Sequence, residues 1–265
     1  MSNVLLSVEN LHLSISTSET QKKILNGIHF QIEKGKIHSL VGESGSGKSM
    51  TSLAITKLIP STIATYEQGN VFFKSTNLLE LDPLSLQKIR GKDISYVFQE
   101  PFVSLNPIQK IKFQLIESFL KHNLGSKQEA ISKAENLLDE LGITDVKMRM
   151  EMYPSEMSGG MLQRICIAMA LMSDPEILIA DEPTSAIDIT LQIQIIDLIQ
   201  KIQEKTKLGI LFISHDIGLV SYISDTISIL KNGEVVESGS IDSVLESPQK
   251  EYTKMLIHTN LELAK

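Results

Sequence analysis

Residues 42–49 read GESGSGKS, set between the apolar run IHSLV and a stretch with helical pattern. That composition and context suit a polyphosphate. Gly42, Gly45 and Gly47 let the backbone curl with its N–H groups inward and no Cβ in the way. Glu43, Ser44 and Ser46 supply the rest of the curl. The opening of the following helix adds the positive end of a dipole. Lys48 is placed for β- and γ-phosphate oxygens, and the Ser49 hydroxyl for Mg²⁺. The plainer alternative is a Gly/Ser turn joining a strand to a helix.

A second cluster lies at 177–183, ILIADEP, an apolar strand ending in two carboxylates. Asp181 is suited to Mg²⁺, usually through water. Glu182 is suited to polarising an attacking water as general base. Taken alone, the pair reads equally well as solvated acids at a strand end. The loop at 42–49 shifts the balance towards phosphate chemistry.

These groups need a frame of strands that deliver them and helices that start beside them. Strands are expected over VLLSVENLHLSIS, on both sides of the Glu-Lys-Gly-Lys turn at 33–36, and over GNVFFK, EILIAD and GILFIS. A hairpin is expected around Asn232-Gly233. A helix should open at Lys48 and run to about Ile59, where Pro60 stops it. From about Pro107 the texture becomes helical. Ile111, Leu115, Ile116, Phe119 and Leu120 share one face. SKQEAISKAENLLDELG opens on a capping box of Ser126 and Glu129, buries Ala130, Ala134, Leu137, Leu138 and Leu141, and ends at Gly142. TLQIQIIDLIQKIQEKT reads as a further helix. The whole is α/β with a largely parallel sheet. Residues 103–160 read as a helical subdomain inserted into a core of 1–102 and 161–265, all within one domain.

Composition narrows the function classes. The 265 residues are 42% hydrophobic and 22% charged, enough for a sizeable core. The net charge of −7 argues against a broad nucleic-acid surface. The single cysteine, Cys166, forms no internal disulfide and sits in ICIAMALM as a small core residue. No secretory leader is read at the start, and no apolar run reaches the ~18–20 residues of a membrane helix.

With these motifs, and with others in the same order, the chain resembles the ABC transporter ATPase family along essentially its whole length. Gln99, in YVFQEP, matches the glutamine that touches Mg²⁺ and the attacking water. Ser158, Gly159, Gly160 and Met161, in MSGGMLQR, match the signature that closes over the ATP of a partner subunit. Ser185, Ala186, Ile187 and Asp188 match the loop that crosses the dimer interface, and His215, in FISHD, the switch histidine that contacts the γ-phosphate. Singly, each is an ordinary polar surface residue or turn. The resemblance implies a phosphate-loop (RecA-like) core with an N-terminal antiparallel β subdomain and an inserted helical subdomain. It also implies ATP and Mg²⁺, and a second ATPase chain, related or identical. Two membrane permease subunits and an extracellular substrate-binding protein complete the expected assembly, with this chain peripheral on the cytoplasmic face and no nucleic acid bound.

The strings YPSEMSGGMLQR, QEPFVSLNP and LIADEPTSAID resemble the peptide/nickel importer branch. Met161-Leu162 and the short end after EYTKMLIHTNLELAK, without a cysteine cluster, look most like its nickel or metal-chelate members, with short-peptide import next. Three positions depart from the wider family: Met161 stands for Gln, Ile187 for Leu, and Ile15 where an aromatic often stacks on adenine. The alternatives are a soluble ABC ATPase acting on DNA or ribosomes, or a phosphate-loop kinase. One phosphate loop and no sustained heptads disfavour the first. The signature and His215 disfavour the second. Phe102, Val103 and Leu105 lie in an expected loop between Pro101 and Pro107, suited either to hinge packing or to receiving a helix of the membrane subunit.

Overall fold

The computed structural model describes residues 3–16, 20–184 and 189–263, and in it the chain opens with three strands before its first helix. In chain order the elements are β1 (Val4–Ser16), β2 (Gln21–Glu33), β3 (Ile37–Val41), α1 (Lys48–Ile55), β4 (Ala64–Phe73), β5 (Thr76–Asn77), α2 (Pro83–Ile89) and β6 (Ile94–Val97). Next come α3 (Pro101–Ser104), α4 (Ile111–Lys121), α5 (Lys127–Glu140), α6 (Val146–Met150), α7 (Gly159–Leu171), β7 (Ile177–Asp181) and α8 (Ile189–Thr206). The chain closes with β8 (Gly209–Ser214), α9 (Ile217–Ile223), β9 (Thr226–Lys231), β10 (Glu234–Ser240), α10 (Ile241–Glu246) and α11 (Glu251–Leu263). No helix among the described residues is long and apolar enough to cross a membrane. The chain divides into two compact units, Met1–Leu86 with Thr206–Lys265, and Gln87–Lys205. The expected helical insertion, 103–160, falls inside the second.

The first unit holds an antiparallel sheet in the order β2-β1-β4-β5, and strands in the order β10-β9-β3-β8. In the latter, β3 runs parallel to both β8 and β9. Every residue of β3 and of β8 is buried, as in strands covered on both faces. The hairpin forms as expected. Asn232 and Gly233 both take positive φ, 49° and 79°, the pattern that matches the twist of the strands it joins.

α1 ends four residues before the expected Ile59. Lys57 takes φ 53°, and the N–H groups of Lys57 and Leu58 close on the carbonyls of Ala54 and Leu53. This is a Schellman ending with a lysine where glycine is usual. The Lys57 ammonium supports it by donating to the carbonyls of Leu79 and Leu81 at 2.9 and 3.2 Å. β4 is also longer than GNVFFK, because its first half pairs with the outer half of β1.

The second unit joins the parallel pair β6 and β7 to the helices α4, α5 and α7, which pack on one another. The Ser126–Glu129 capping box opens α5 as read, and Gly142 ends it at φ 74°. Leu120 and Leu137 are only half-buried, at the margins of their faces. Cys166 is buried, its thiol pushed up to about 12 by desolvation, and behaves as core. The stretch after Gln99 is not all loop: Pro101–Ser104 makes a helical turn. It exposes Phe102 (61%) and Val103 (78%) and buries Leu105 (3%).

His38, inside β3, is fully enclosed. Its ring stacks on Phe30 at 5.0 Å, and its nitrogens meet the hydroxyls of Thr226 at 2.8 Å and Ser228 at 3.1 Å. Burial lowers it to about 3 from an ordinary value near 6.5. The unfolded chain therefore takes this proton near pH 6.5 and the folded chain only near pH 3. Stability from this group is complete above pH 6.5 and is lost as pH falls towards 3. It amounts to about 2 kcal/mol between pH 7 and pH 5. Replacing His38 by Gln should flatten the denaturation profile by that amount over this interval. An unchanged profile in urea unfolding would contradict it.

Candidate functional site

In the first unit, β3 delivers Gly42 into a loop that ends where α1 begins. A Cβ on Gly42 would lie 2.2 Å from the Leu230 carbonyl oxygen and 2.8 Å from Ser46 Oγ, so only glycine fits. Gly45 and Gly47 take φ of 79° and 107°. Gly47 stands at the N-cap of α1 with no side chain closing the helix start, and the first turn holds no acidic residue. A helix start of this kind, without a side-chain cap or a first-turn acid, suits an anion. Ser46 Oγ is buried without a hydrogen-bond partner among the described residues, a further polar group that a ligand can satisfy. The buried Lys48 ammonium folds over the loop, donating to the carbonyls of Gly42 at 2.7 Å and Glu43 at 3.0 Å. A polyphosphate would offer it stronger, charged acceptors.

His215 follows β8, and Val41 of β3 is in register with Ser214 of β8. Gly42 and His215 therefore leave neighbouring strands at the same level. His215 is exposed. Asp216 holds the next turn, its carboxylate accepting from the Leu219 N–H at 3.1 Å to cap α9, while its own N–H donates to Ser214 Oγ at 3.0 Å.

In the second unit the same principle operates at β6 and β7, where Val97 is in register with Ala180. The strand ends bring Gln99 to Glu182, the amide nitrogen donating to the carboxylate at 3.1 Å. Asp181, the last residue of β7, is buried. Glu182 takes φ 46°, a left-handed conformation unfavourable for a residue with a Cβ. In this conformation the carboxylate at the strand end meets Gln99.

Ser158 caps α7 as the sequence suggests, its hydroxyl accepting from the Met161 N–H at 3.4 Å. Nothing lies within 4 Å of a Cβ built on Gly159, whereas one on Gly160 would meet Leu191 at 3.3 Å. The first turn of α7 is thus open on the Gly159 side. Met161 is half-buried. The sequence-predicted interface loop, Ser185, Ala186, Ile187 and Asp188, lies outside the described residues. Ile15 of β1 is half-buried.

Two contacts on the phosphate loop escape sequence reasoning. The Gly233 N–H donates to the Ser46 carbonyl at 2.8 Å, and the Glu43 N–H to the Tyr252 hydroxyl at 3.4 Å. Asn-Gly announces a hairpin and nothing about what the hairpin touches. Tyr252 lies far along the chain in a helix that carries no motif.

The ABC transporter family pattern matches residues 25–185. The oligopeptide transport ATP-binding protein OppD of Bacillus subtilis is 41% identical over 249 residues, covering 94% of this chain and 70% of its own length. The dipeptide transport ATP-binding protein DppD of Lactococcus lactis is 43% identical over 249 residues, covering 94% of this chain and 71% of its own. Among solved structures, the dimeric ATP-binding cassette MJ0796, in a post-hydrolysis state bound to ADP and Pi, superposes with a TM-score of 0.79 at 27% identity. The match covers 89% of this chain and 98% of that one. The chain belongs to the ABC transporter family, as one of its ATP-hydrolysing subunits.

Gly233 offers a test of how the loop is braced. A Cβ there would sit 2.1 Å from the Ile24 carbonyl oxygen, at φ 79°. Gly233→Ala should cost about 1–3 kcal/mol of stability and weaken nucleotide binding with it, since the turn also holds Ser46. A thermal melt and a nucleotide titration check this. A variant that melts and binds like the wild type would show that the turn does not brace the loop.

Proposed function

We propose that this chain hydrolyses Mg-ATP, as half of a dimer of ATPase subunits, to drive import of short peptides through separate membrane subunits. The observation that carries the ATP reading is the cradle at Gly42–Ser49. It combines a glycine with no room for a Cβ, two glycines at positive φ, and a helix start with no side-chain cap and no acid in its first turn. Gly42, Glu43, Ser44, Gly45, Ser46 and Gly47 hold the phosphates through the backbone. Lys48 moves from its own carbonyls to the phosphate oxygens, which raises its interaction from a neutral to a charged acceptor.

By resemblance, Ser49, Asp181 and Gln99 are each assigned to Mg²⁺, and a hydroxyl, a carboxylate and an amide carbonyl are oxygen donors of the kind that cation takes together with substrate phosphates. When bound, the cation supplies charge neutralisation of the phosphoryl oxygens. Glu182 acts as general base on the attacking water. Its contact with Gln99 orients the carboxylate and puts an amide beside the same water. His215, at the end of β8 next to the phosphate loop's own strand, contacts the γ-phosphate. The turn Ser158–Met161 closes over the ATP of the partner subunit, a role that its open helix start supports. Ser185, Ala186, Ile187 and Asp188 are assigned to the dimer interface by resemblance alone.

Peptide is preferred to nickel as the cargo because the relatives at 41 and 43% identity carry oligopeptide and dipeptide names. The Met161-Leu162 pair had pointed the other way. The cargo itself is selected outside this chain, by a substrate-binding protein and two permeases. The subunit then sits peripherally on the cytoplasmic face. The exposed Phe102 and Val103, on the helical turn just beyond Gln99, support a docking surface for a permease.

Lys48→Ala tests this reading at two levels. ATP affinity of the isolated chain should fall at least tenfold, since a charged contact to two phosphates is lost. Uptake of di- and oligopeptides by cells carrying the variant should fail. Wild-type affinity would contradict the phosphate-loop assignment. Peptide uptake retained while nickel uptake is lost would contradict the cargo.

A further inference from the structure

The helix α11 reaches the phosphate loop through one side chain. Tyr252 is buried, and its hydroxyl accepts the Glu43 N–H at 3.4 Å. Glu43 is the second residue of the loop, between Gly42, fixed by its fit against Leu230, and Gly45, whose surroundings are open. The tyrosine ring also meets Lys231, whose ammonium lies over it, 4.3 Å from the ring centre. Lys231 is the last residue of β9, next to the Asn232-Gly233 turn that binds the Ser46 carbonyl.

The seat of α11 is fixed separately. The Glu237 carboxylate, on β10, accepts the N–H groups of Gln249 at 2.8 Å and Lys250 at 3.1 Å, immediately before α11 begins. This places a negative charge at the helix start and sets the height at which Tyr252 meets the loop. The loop is therefore gripped at Glu43 by α11 and at Ser46 by the hairpin, with Lys231 and Tyr252 joining the two grips.

We infer that Tyr252 is a positioning residue for nucleotide binding. By accepting the Glu43 N–H it holds the first half of the phosphate loop in its curled form, and so links ATP affinity to the seating of α11. The inference rests on the ATP reading above and deepens it. A backbone N–H tied to a fixed hydroxyl cannot swing away, so the loop meets the phosphates already curled and loses less freedom on binding. Tyr252 touches no reacting atom, so the effect belongs to binding and not to the chemical step.

The experiment uses the full chain with its partner ATPase and compares wild type, Tyr252→Phe and Lys231→Met. Phenylalanine keeps the ring and its contact with Lys231 but removes the acceptor. Methionine keeps an aliphatic stem but removes the cation. For Tyr252→Phe, the KM for ATP should rise about three- to tenfold, the range expected for one neutral hydrogen bond, with kcat unchanged. Lys231→Met should move KM the same way by less. A merely structural role would instead lower kcat per mole of protein, through loss of folded chain, and leave KM where it was. That result overturns the inference, as does an unchanged KM in Tyr252→Phe. Should the wild type itself fail to bind ATP, the ATP reading falls, and this inference with it.

Discussion

The structure turns on a close approach. Gly42 lies so near the Leu230 carbonyl that no side chain fits between them. The phosphate loop can therefore start only where β3 ends alongside β9, and it must bend at once. That contact sets the direction in which the loop amides point. The positive φ at Gly45 and Gly47 completes the curl, and α1 starts without a side-chain cap. Up to Lys48 the cradle is mainly backbone, braced from outside by the Tyr252 hydroxyl at Glu43 and by Gly233 at Ser46. Its recognition is the geometry of a backbone held open, at some cost in conformational entropy.

Parallel strands make the arrangement useful. Residues at the carboxyl ends of neighbouring parallel strands emerge at one level, and the register puts Gly42 beside His215 and Gln99 beside Glu182. Glu182 is forced into a left-handed backbone conformation to take its place. Strain of that kind, about 1–3 kcal/mol, survives only where the surroundings over-determine it. Here β7 is buried along its whole length, and Gln99 binds the carboxylate. The folding free energy of the buried strands thus maintains an acidic side chain in a position that it would not adopt alone.

Much of this was legible in the sequence, for physical reasons. The phosphate loop, the ILIADEP strand end and the Asn232-Gly233 hairpin are local: each needs particular residues at particular spacings, and those residues are present. The capping box at Ser126 and Glu129 is local too. What was not legible depends on distant contacts. α1 stops at Ile55, short of the expected Ile59, where Lys57 reaches two carbonyls more than twenty residues on and serves where glycine is usual. β4 extends because β1 is long enough to pair with it. The turn at Pro101–Ser104 hides in a proline-flanked segment that reads as loop. Tyr252 and Gly233 brace the phosphate loop from far along the chain, with no spacing to mark them. The preference for nickel over peptide rested on the Met161-Leu162 pair and on the short end without a cysteine cluster, and the relatives reported above carry peptide names.

The central claim is that the phosphate loop binds ATP while Glu182 cleaves it, two functions carried by separate residues. It is tested most directly by measuring ATP binding and ATP hydrolysis on one preparation of Glu182→Gln, assembled with its partner ATPase. The account predicts near wild-type binding, with hydrolysis reduced about 10²–10⁴-fold and ATP trapped in a lasting dimer. Hydrolysis at the wild-type rate, or loss of ATP binding together with hydrolysis, would contradict it.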